Sequence, residues 1–172
     1  MSIGRETYFN TPPQSPKKVP MAITRPNNPK NFLAQQELAR VTAKIAGAEQ
    51  MTSAEIKVVI LRQCWTDLRK KARKIFKKHR LDKTAEHNCV LIVLVTTNRE
   101  FLIYGGEGIH EKVGQHFWDE TRNAMIEKFK ENEFGEGLCV GIHLVGQKLA
   151  PLFPYQESDV DEISNEVVFE NF

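Results

Sequence analysis

The sequence predicts an α/β fold: a three-layer α/β/α sandwich around a mixed sheet, as one domain behind a disordered N-terminal arm. Three observations lead there. Apolar residues recur at helical spacing before residue 51 and again after residue 110, while three β-branched and apolar runs lie between them. The first and second runs are separated by a helix-length segment, whereas only TTNRE, residues 96–100, separates the second from the third. Six of the eight prolines fall in the first 30 residues. The domain boundaries read from this pattern are residues 1–30 for the arm and 31–172 for the domain, whose last stretch, about 155–172, is an acidic tail.

Taken in order, the arm has few aliphatic residues between its prolines and cannot offset the entropy of ordering itself. Its SPKK motif, residues 15–18, reads as a linker turn, a phosphorylation site or a basic minor-groove turn. A helix follows over residues 31–51, with Asn31 as its N-cap and Leu38, Val41, Ile45 and Ala48 as its apolar stripe. EIKVVILR, residues 55–62, is a strand. Thr66 or Asp67 caps a second helix, in which Leu68, Ala72, Ile75 and Phe76 share one face and lysines and arginines fill the others. CVLIVLV, residues 89–95, is apolar at every position, as a central strand covered on both faces must be. FLIYG, residues 101–105, pairs with it through a hairpin turning at Asn98 and Arg99. A long helix is predicted over residues 110–131, with Val113, Phe117, Thr121, Ala124 and Phe129 inward. A last one covers 136–149, where Leu138, Ile142, Val145 and Leu149 face the core. Gly141 and Gly146 inside that helix each cost about 1 kcal/mol relative to alanine, which close backbone packing compensates. Pro151 and Pro154 end helical structure. The remaining tail carries a small apolar tip at 167–169 and is expected to lie along the domain.

Composition narrows the function classes. The formal net charge is only +2, which provides no global case for a polyanion partner. The three cysteines, Cys64, Cys89 and Cys139, are odd in number and widely spaced, so neither a disulfide framework nor a CxxC zinc site is indicated, and a reducing compartment fits. The longest apolar run falls far short of the roughly 18 residues of a membrane span, and no export signal opens the chain. A cytoplasmic, soluble protein is expected.

Strand direction then gathers a candidate site. The helical crossover makes the first two strands parallel, and the hairpin turns the third against both. The turn GGEGIH after the third strand therefore reaches the edge where the first two begin. Glu55, His87, Asn88, Glu107 and His110 converge on that rim, beside Ser53 and the turn glycines Gly105, Gly106 and Gly108. The turn has three readings: phosphate binding at a helix start, cation binding by oxygen ligands, or a strand-to-helix corner whose glycines permit positive φ. The glycine order fails both the dinucleotide fingerprint and the P-loop pattern, so no organic cofactor is expected. Glu107 would repel bare phosphate, which favours Ca²⁺ or Mg²⁺ held by Glu55, Asn88 and Glu107.

Several ordered segments carry a family resemblance: TSAEIKVVI (52–60), HNCVLI (87–92), NREFLIYGGEGIHEKVGQHFWDE (98–120), EFGEGLCVGIHLVGQKLAPLFP (133–154) and DVDEISNEV (159–167). Together they resemble the short, soluble branch of the TPM domain family, whose relatives include a thylakoid-lumen acid phosphatase, a photosystem repair protein and an acetylcholine-receptor modulator. The resemblance implies an α/β sandwich with a mixed sheet and spans residues 31–169. Residue by residue, the family's Ser-Gly-Glu-Ile matches Ser53 to Ile56 with Ala54 for glycine, and its Arg-Asn matches His87 and Asn88. Its Gly-Asp at the turn becomes Gly105 and Gly106, so the aspartate is missing. Its Asn-Glu-Leu-Pro becomes Asp161, Glu162, Ile163 and Ser164.

Two functions follow from residues and resemblance together. The first is a cation-binding accessory module that binds a partner protein. The alternative is a metal-dependent phosphomonoesterase in which His87 or His110 assists proton transfer; no nucleophile is identifiable, and no Cys-x5-Arg loop or DxD pair lies on the rim. A third, remote reading places nucleic acid or an anionic membrane on the basic helix of residues 67–80, against the simpler account of a solvated helix face.

Overall fold

In the computed structural model, residues 7–8, 25–114 and 116–171 are described. Most of the proline arm, SPKK included, lies outside them. The elements are β1 (Thr7–Tyr8), α1 (Pro29–Phe32), α2 (Gln35–Glu49), β2 (Ile56–Leu61), α3 (Leu68–Lys78), β3 (Val90–Val95), β4 (Glu100–Gly105), α4 (Glu107–His110), α5 (Asp119–Lys130), α6 (Phe134–Leu149) and β5 (Val168–Glu170). The sheet runs β1-β4-β3-β2-β5. β2 and β3 are parallel, with Ile56 opposite Val90 and Leu61 opposite Val95. β4 runs antiparallel to β3, pairing Gly105 with Val90. The mixed sheet and its strand directions are therefore those that the crossover and the short hairpin require.

Successive side chains of a strand point to opposite faces, and here both faces are covered. Ile56, Val58, Ile60, Ile92 and Leu94 join Val41, Ile45, Met125, Leu138 and Ile142 in one core, under α2, α5 and α6. Val59, Leu61, Leu91, Val93 and Val95 face Leu68, Ala72, Ile75 and Phe76 of α3 in a second core. All six residues of β3 are buried, in keeping with its uniformly apolar sequence. No described helix is long and apolar enough to cross a membrane.

Three elements differ from the pattern-based expectation. The first helix is divided: Asn31 lies within α1 instead of capping, Asn28 accepts from the Lys30 N–H at 3.1 Å, and α2 begins after extended residues Leu33 and Ala34. Glu37 reaches back to the Ala34 N–H at 2.8 Å. At the break Phe32 and Leu33 are both buried, and the extended Leu33 and Ala34 redirect the chain into α2. The helix expected over 110–131 is likewise divided, with α4 ending at His110 and α5 starting at Asp119. Here the adjacent Phe117 and Trp118 both pack on the core, edge to face with centroids 4.6 Å apart. Gly114 in that interval weakens a continuous helix, and Met125 is the buried residue beside the half-buried Ala124.

The third difference is the tail. Its apolar tip adds an edge strand, β5, parallel to β2 with Val59 opposite Val168. Three residues are too few to show a period. Close packing at the α6 glycines is as expected: a Cβ at Gly141 would overlap the Met125 side chain, and one at Gly146 would meet Met51 at 2.7 Å. Contacts of the domain begin ahead of Asn31, because Arg25 pairs with Glu37 at 2.8 Å and the Thr96 hydroxyl donates to the Asn27 carbonyl.

Candidate cation site

Glu55 ends the loop that feeds β2, so its carboxylate is carried by a rigid strand start. The Val90 N–H donates to the Glu55 carbonyl at 2.7 Å, which ties that start to β3. Glu49, the last residue of α2, accepts from the Ile56 N–H at 2.9 Å and is thereby folded back toward the same point. The tail supplies the third carboxylate. The Glu162 N–H donates to Glu55 Oε1 at 3.0 Å, and this bond brings Asp161 alongside. One oxygen each from Glu49, Glu55 and Asp161 lie within 4.8 Å of one another.

The tail is held in this position from below. Lys57 is only 5% exposed, and its Nζ donates to the carbonyls of Ser164 at 2.6 Å and Glu166 at 2.8 Å. At the far end of the segment, Glu170 accepts from Lys78 at 2.9 Å and lies 2.8 Å from His79 Nε2. The cluster opens into a cavity of about 670 Å³, lined among others by Ser53, Asn88, Tyr155, Val160, Glu162 and Asn165.

The electrostatics of the cluster are those of acids held too close and too dry. Burial, followed by the nearby carboxylates of Glu55 and Asp161, outweighs the Ile56 hydrogen bond and raises Glu49 to about 8. Burial likewise raises Glu55 to about 7, with Asp161 and Glu162 adding to it against the Glu162 N–H. Glu55 is 5% exposed, and its Oε2 is buried with no partner at hydrogen-bond distance, although the Ile163 N–H lies near enough to act against the rise. Asn165 Oδ1, also on the cavity wall, is in the same condition. Buried oxygens with unsatisfied lone pairs next to two further carboxylates form a donor set that suits a hard cation.

The sequence-derived rim residues divide into two groups. Glu55 and Asn88 line the cavity together. Asn88 is engaged structurally: its Nδ2 donates to the Ser53 carbonyl and to Glu86, both at 3.1 Å, which holds the starts of β2 and β3 together. Glu107 is exposed, and neither it nor His87 nor His110 lines the cavity. His87 Nδ1 lies 2.9 Å from the Asp82 carbonyl, and the His110 ring meets Tyr104 edge to face. The glycine turn packs down on residues 86–89: Gly106 donates to the Cys89 carbonyl at 2.9 Å and Gly108 to the His87 carbonyl at 3.0 Å. None of the described glycines has positive φ. Gly106 is required by proximity, since a Cβ there would sit 2.7 Å from the His87 carbonyl oxygen.

Glu49 and Asp161 are the site residues that pattern reading does not find. The available signal was slight. Glu49 is a polar residue at a helix end a few positions before a strand, and Asp161 falls in the segment aligned with the family's Asn-Glu-Leu-Pro.

A model of the TPM domain matches residues 27–148. The chain belongs to the TPM domain family. Its TPM fold is similar to the NMR structure of the BA42 protein from the psychrophilic bacterium Bizionia argentinensis sp. nov. The two share 36% identity over 81% of this chain and 96% of that one, with a TM-score of 0.78. The N-terminal domain of a protein from P. gingivalis, solved by solution NMR, is 20% identical over 72% of this chain and 80% of that one. Its TM-score of 0.60 shows a shared fold alone. No curated protein matches the chain.

Proposed function

We propose that this TPM domain is a cation-binding accessory module, with Ca²⁺ or Mg²⁺ held by Glu49, Glu55 and Asp161 and the surrounding surface offered to a partner protein. The observation that carries this reading is the unpartnered Oε2 of Glu55, buried beside two further carboxylates. A divalent ion would satisfy that oxygen and offset the burial, and after it the mutual repulsion, that raise Glu49 and Glu55. The all-oxygen donor set favours hard cations over zinc or copper. Asp161 supplies its carboxylate from the tail to Glu49 and Glu55, not to the glycine turn. Because Asp161 and Glu162 belong to the tail, an ion there would also fix residues 155–170 against the domain, which gives the module a cation-dependent surface.

The test is amide-resolved NMR titration with Ca²⁺ and with Mg²⁺. Shifts are expected at residues 49–55 and 159–165, and their loss in Glu55→Gln. Shifts confined to 105–110 would transfer the ion to the glycine turn, and no shift at either place would remove the proposal.

A second reading, the metal-dependent phosphomonoesterase, has one specific observation in its favour. The Ser53 hydroxyl, on the wall of the same cavity, donates to Glu86 at 2.7 Å. A carboxylate so placed can withdraw the hydroxyl proton, and a neighbouring cation would polarise phosphate oxygens. A phosphomonoester assay on the cation-loaded protein decides between the two: turnover abolished by Ser53→Ala selects the enzyme, and cation binding without turnover selects the accessory module.

A further inference from the structure

We propose that the outer face of α3, together with Trp65, is a docking surface for an anionic membrane. Residues 62–80 carry nine basic side chains and one acidic, a net charge of +8 in a chain whose total is +2, which leaves −6 for the remainder. The one acid, Asp67, is used as the N-cap of α3, accepting from the N–H groups of Arg69 and Lys70. The apolar stripe of α3 is spent on the sheet, with Leu68, Ala72, Ile75 and Phe76 buried. Lys70, Lys74 and Lys77 are exposed, and their spacing of four and three residues sets them in one row along the helix. Like charges in such a row repel, and an anionic surface opposite them relieves that repulsion.

Trp65 decides what kind of anionic surface. It stands in the loop between β2 and α3 and is 85% exposed, the most exposed of the large apolar side chains among the described residues. Trp65 has little of its surface against the protein, and Arg62, Arg69, Lys70 and Lys71 flank it in the chain. An amphipathic ring beside basic residues is the combination that settles at the headgroup level of a bilayer. The surface also has a direction. The acidic cavity lies at the start of β2 and Trp65 follows its end, about 20 Å away for a six-residue strand. As the crossover between parallel β2 and β3, α3 carries its basic row from the Trp65 end back along the side of the sheet toward the edge where β3 begins. There Arg80 and Lys83 line a cleft with Glu162, so docking lays that side of the molecule on the lipid.

The full chain is mixed with vesicles of phosphatidylcholine alone and with vesicles that also contain phosphatidylserine, and binding is read by co-sedimentation and by tryptophan emission. The only other tryptophan, Trp118, is 3% exposed, so a change of emission reports Trp65. Binding is expected with phosphatidylserine only, with a blue shift that raised salt reverses. Trp65→Ala should lose the shift, and Lys70→Gln, Lys74→Gln and Lys77→Gln together should lower partitioning about 100-fold, at about fivefold per lysine. Trp65 lies outside both cores, so its substitution leaves the fold intact even if the triple variant does not. Equal binding to both vesicles, binding that survives both sets of changes, or no binding at all overturns the proposal. So does a single-stranded oligonucleotide that shifts Trp65 emission where vesicles do not, which would make the face a nucleic-acid surface.

Discussion

Gly108 lies against the backbone carbonyl of Glu86 so closely that a methyl group added at its Cα would overlap that oxygen. The contact seats the turn after β4 on the segment entering β3, and the obstacle is backbone, which cannot rotate aside as a side chain can. Gly108→Ala should therefore cost about 1 to 3 kcal/mol by overpacking. Gly47→Ala is the control. It lies in α2 with nothing within 4 Å of an added Cβ, and alanine there should stabilise by roughly 0.5 to 1 kcal/mol. Urea denaturation of both variants measures the difference; equal effects would show that helix propensity, not proximity, decides at Gly108.

The central strand should be the least tolerant of truncation. Ile92 and Leu94 are fully buried in the core under α2, α5 and α6, so replacing either with alanine should cost about 2 to 5 kcal/mol. Chemical denaturation gives the value, and a loss below about 1 kcal/mol would contradict a strand enclosed between two helical layers.

Arg25 should mark where the continuously described part of the domain becomes anchored, β1 being a separate two-residue edge strand ahead of it. Its guanidinium makes a two-pronged contact with Glu37, both at 2.8 Å, and donates to the carbonyls of Phe32 and Asn132, each at 2.9 Å. It also lies over the Phe134 ring, 5.5 Å from the centroid. Burial raises the Glu37 carboxyl, but the Arg25 hydrogen bond and its neighbours outweigh that and leave it lowered. Extending an N-terminal deletion from residue 24 to residue 29 should cost roughly 1.5 to 3 kcal/mol, the range for hydrogen bonds to charged groups. Thermal melts of the two deletions and of Arg25→Ala check this, and identical melts would make Arg25 an ornament of the surface.

β2, β3 and β4 with their directions, and α3 with a cap at Thr66 or Asp67, were legible because apolar periodicity and connection length report directly on them; the short edge strands β1 and β5 were not. The divided helices were not. Phe32–Leu33 and Phe117–Trp118 sit at the breaks, but the equally adjacent Ile75–Phe76 is buried within the continuous α3, so such a pair does not mark a break, and periodicity averages over local interruptions. For the site, strand direction brought Glu55 and Asn88 to one rim. It could not show that the Glu162 N–H finds Glu55, because a bond between residues 107 apart, made by a tail without periodicity, leaves no trace in local pattern. Glu49 was hidden for a related reason. Its role comes from accepting the Ile56 N–H across a loop, while in sequence it is one more polar residue at a helix end.

The raised carboxyls of Glu49 and Glu55 give the site a pH signature. In the unfolded chain each titrates near 4.5, whereas in the fold they titrate near 8 and 7. Between about pH 4.5 and pH 8 the folded state therefore holds protons that the unfolded state has released, and stability must fall as pH rises through that window. Glu37 and Glu170 do not disturb it, because both are lowered below 4.5 and their contribution is lost only on further acidification. With a chelator present, the melting temperature should decline from the acid to the alkaline end of the window. An ion that binds the deprotonated cluster adds stability by mass action, so Ca²⁺ or Mg²⁺ at several times a dissociation constant on the order of 10⁻⁴ to 10⁻³ M should flatten or reverse the decline. Glu49→Gln with Glu55→Gln should abolish both the slope and the response to the ion. A chelated protein whose melting temperature rises across the window, or a double variant that keeps the slope, would place the responsible protons elsewhere and leave the three carboxylates as neighbours without a ligand.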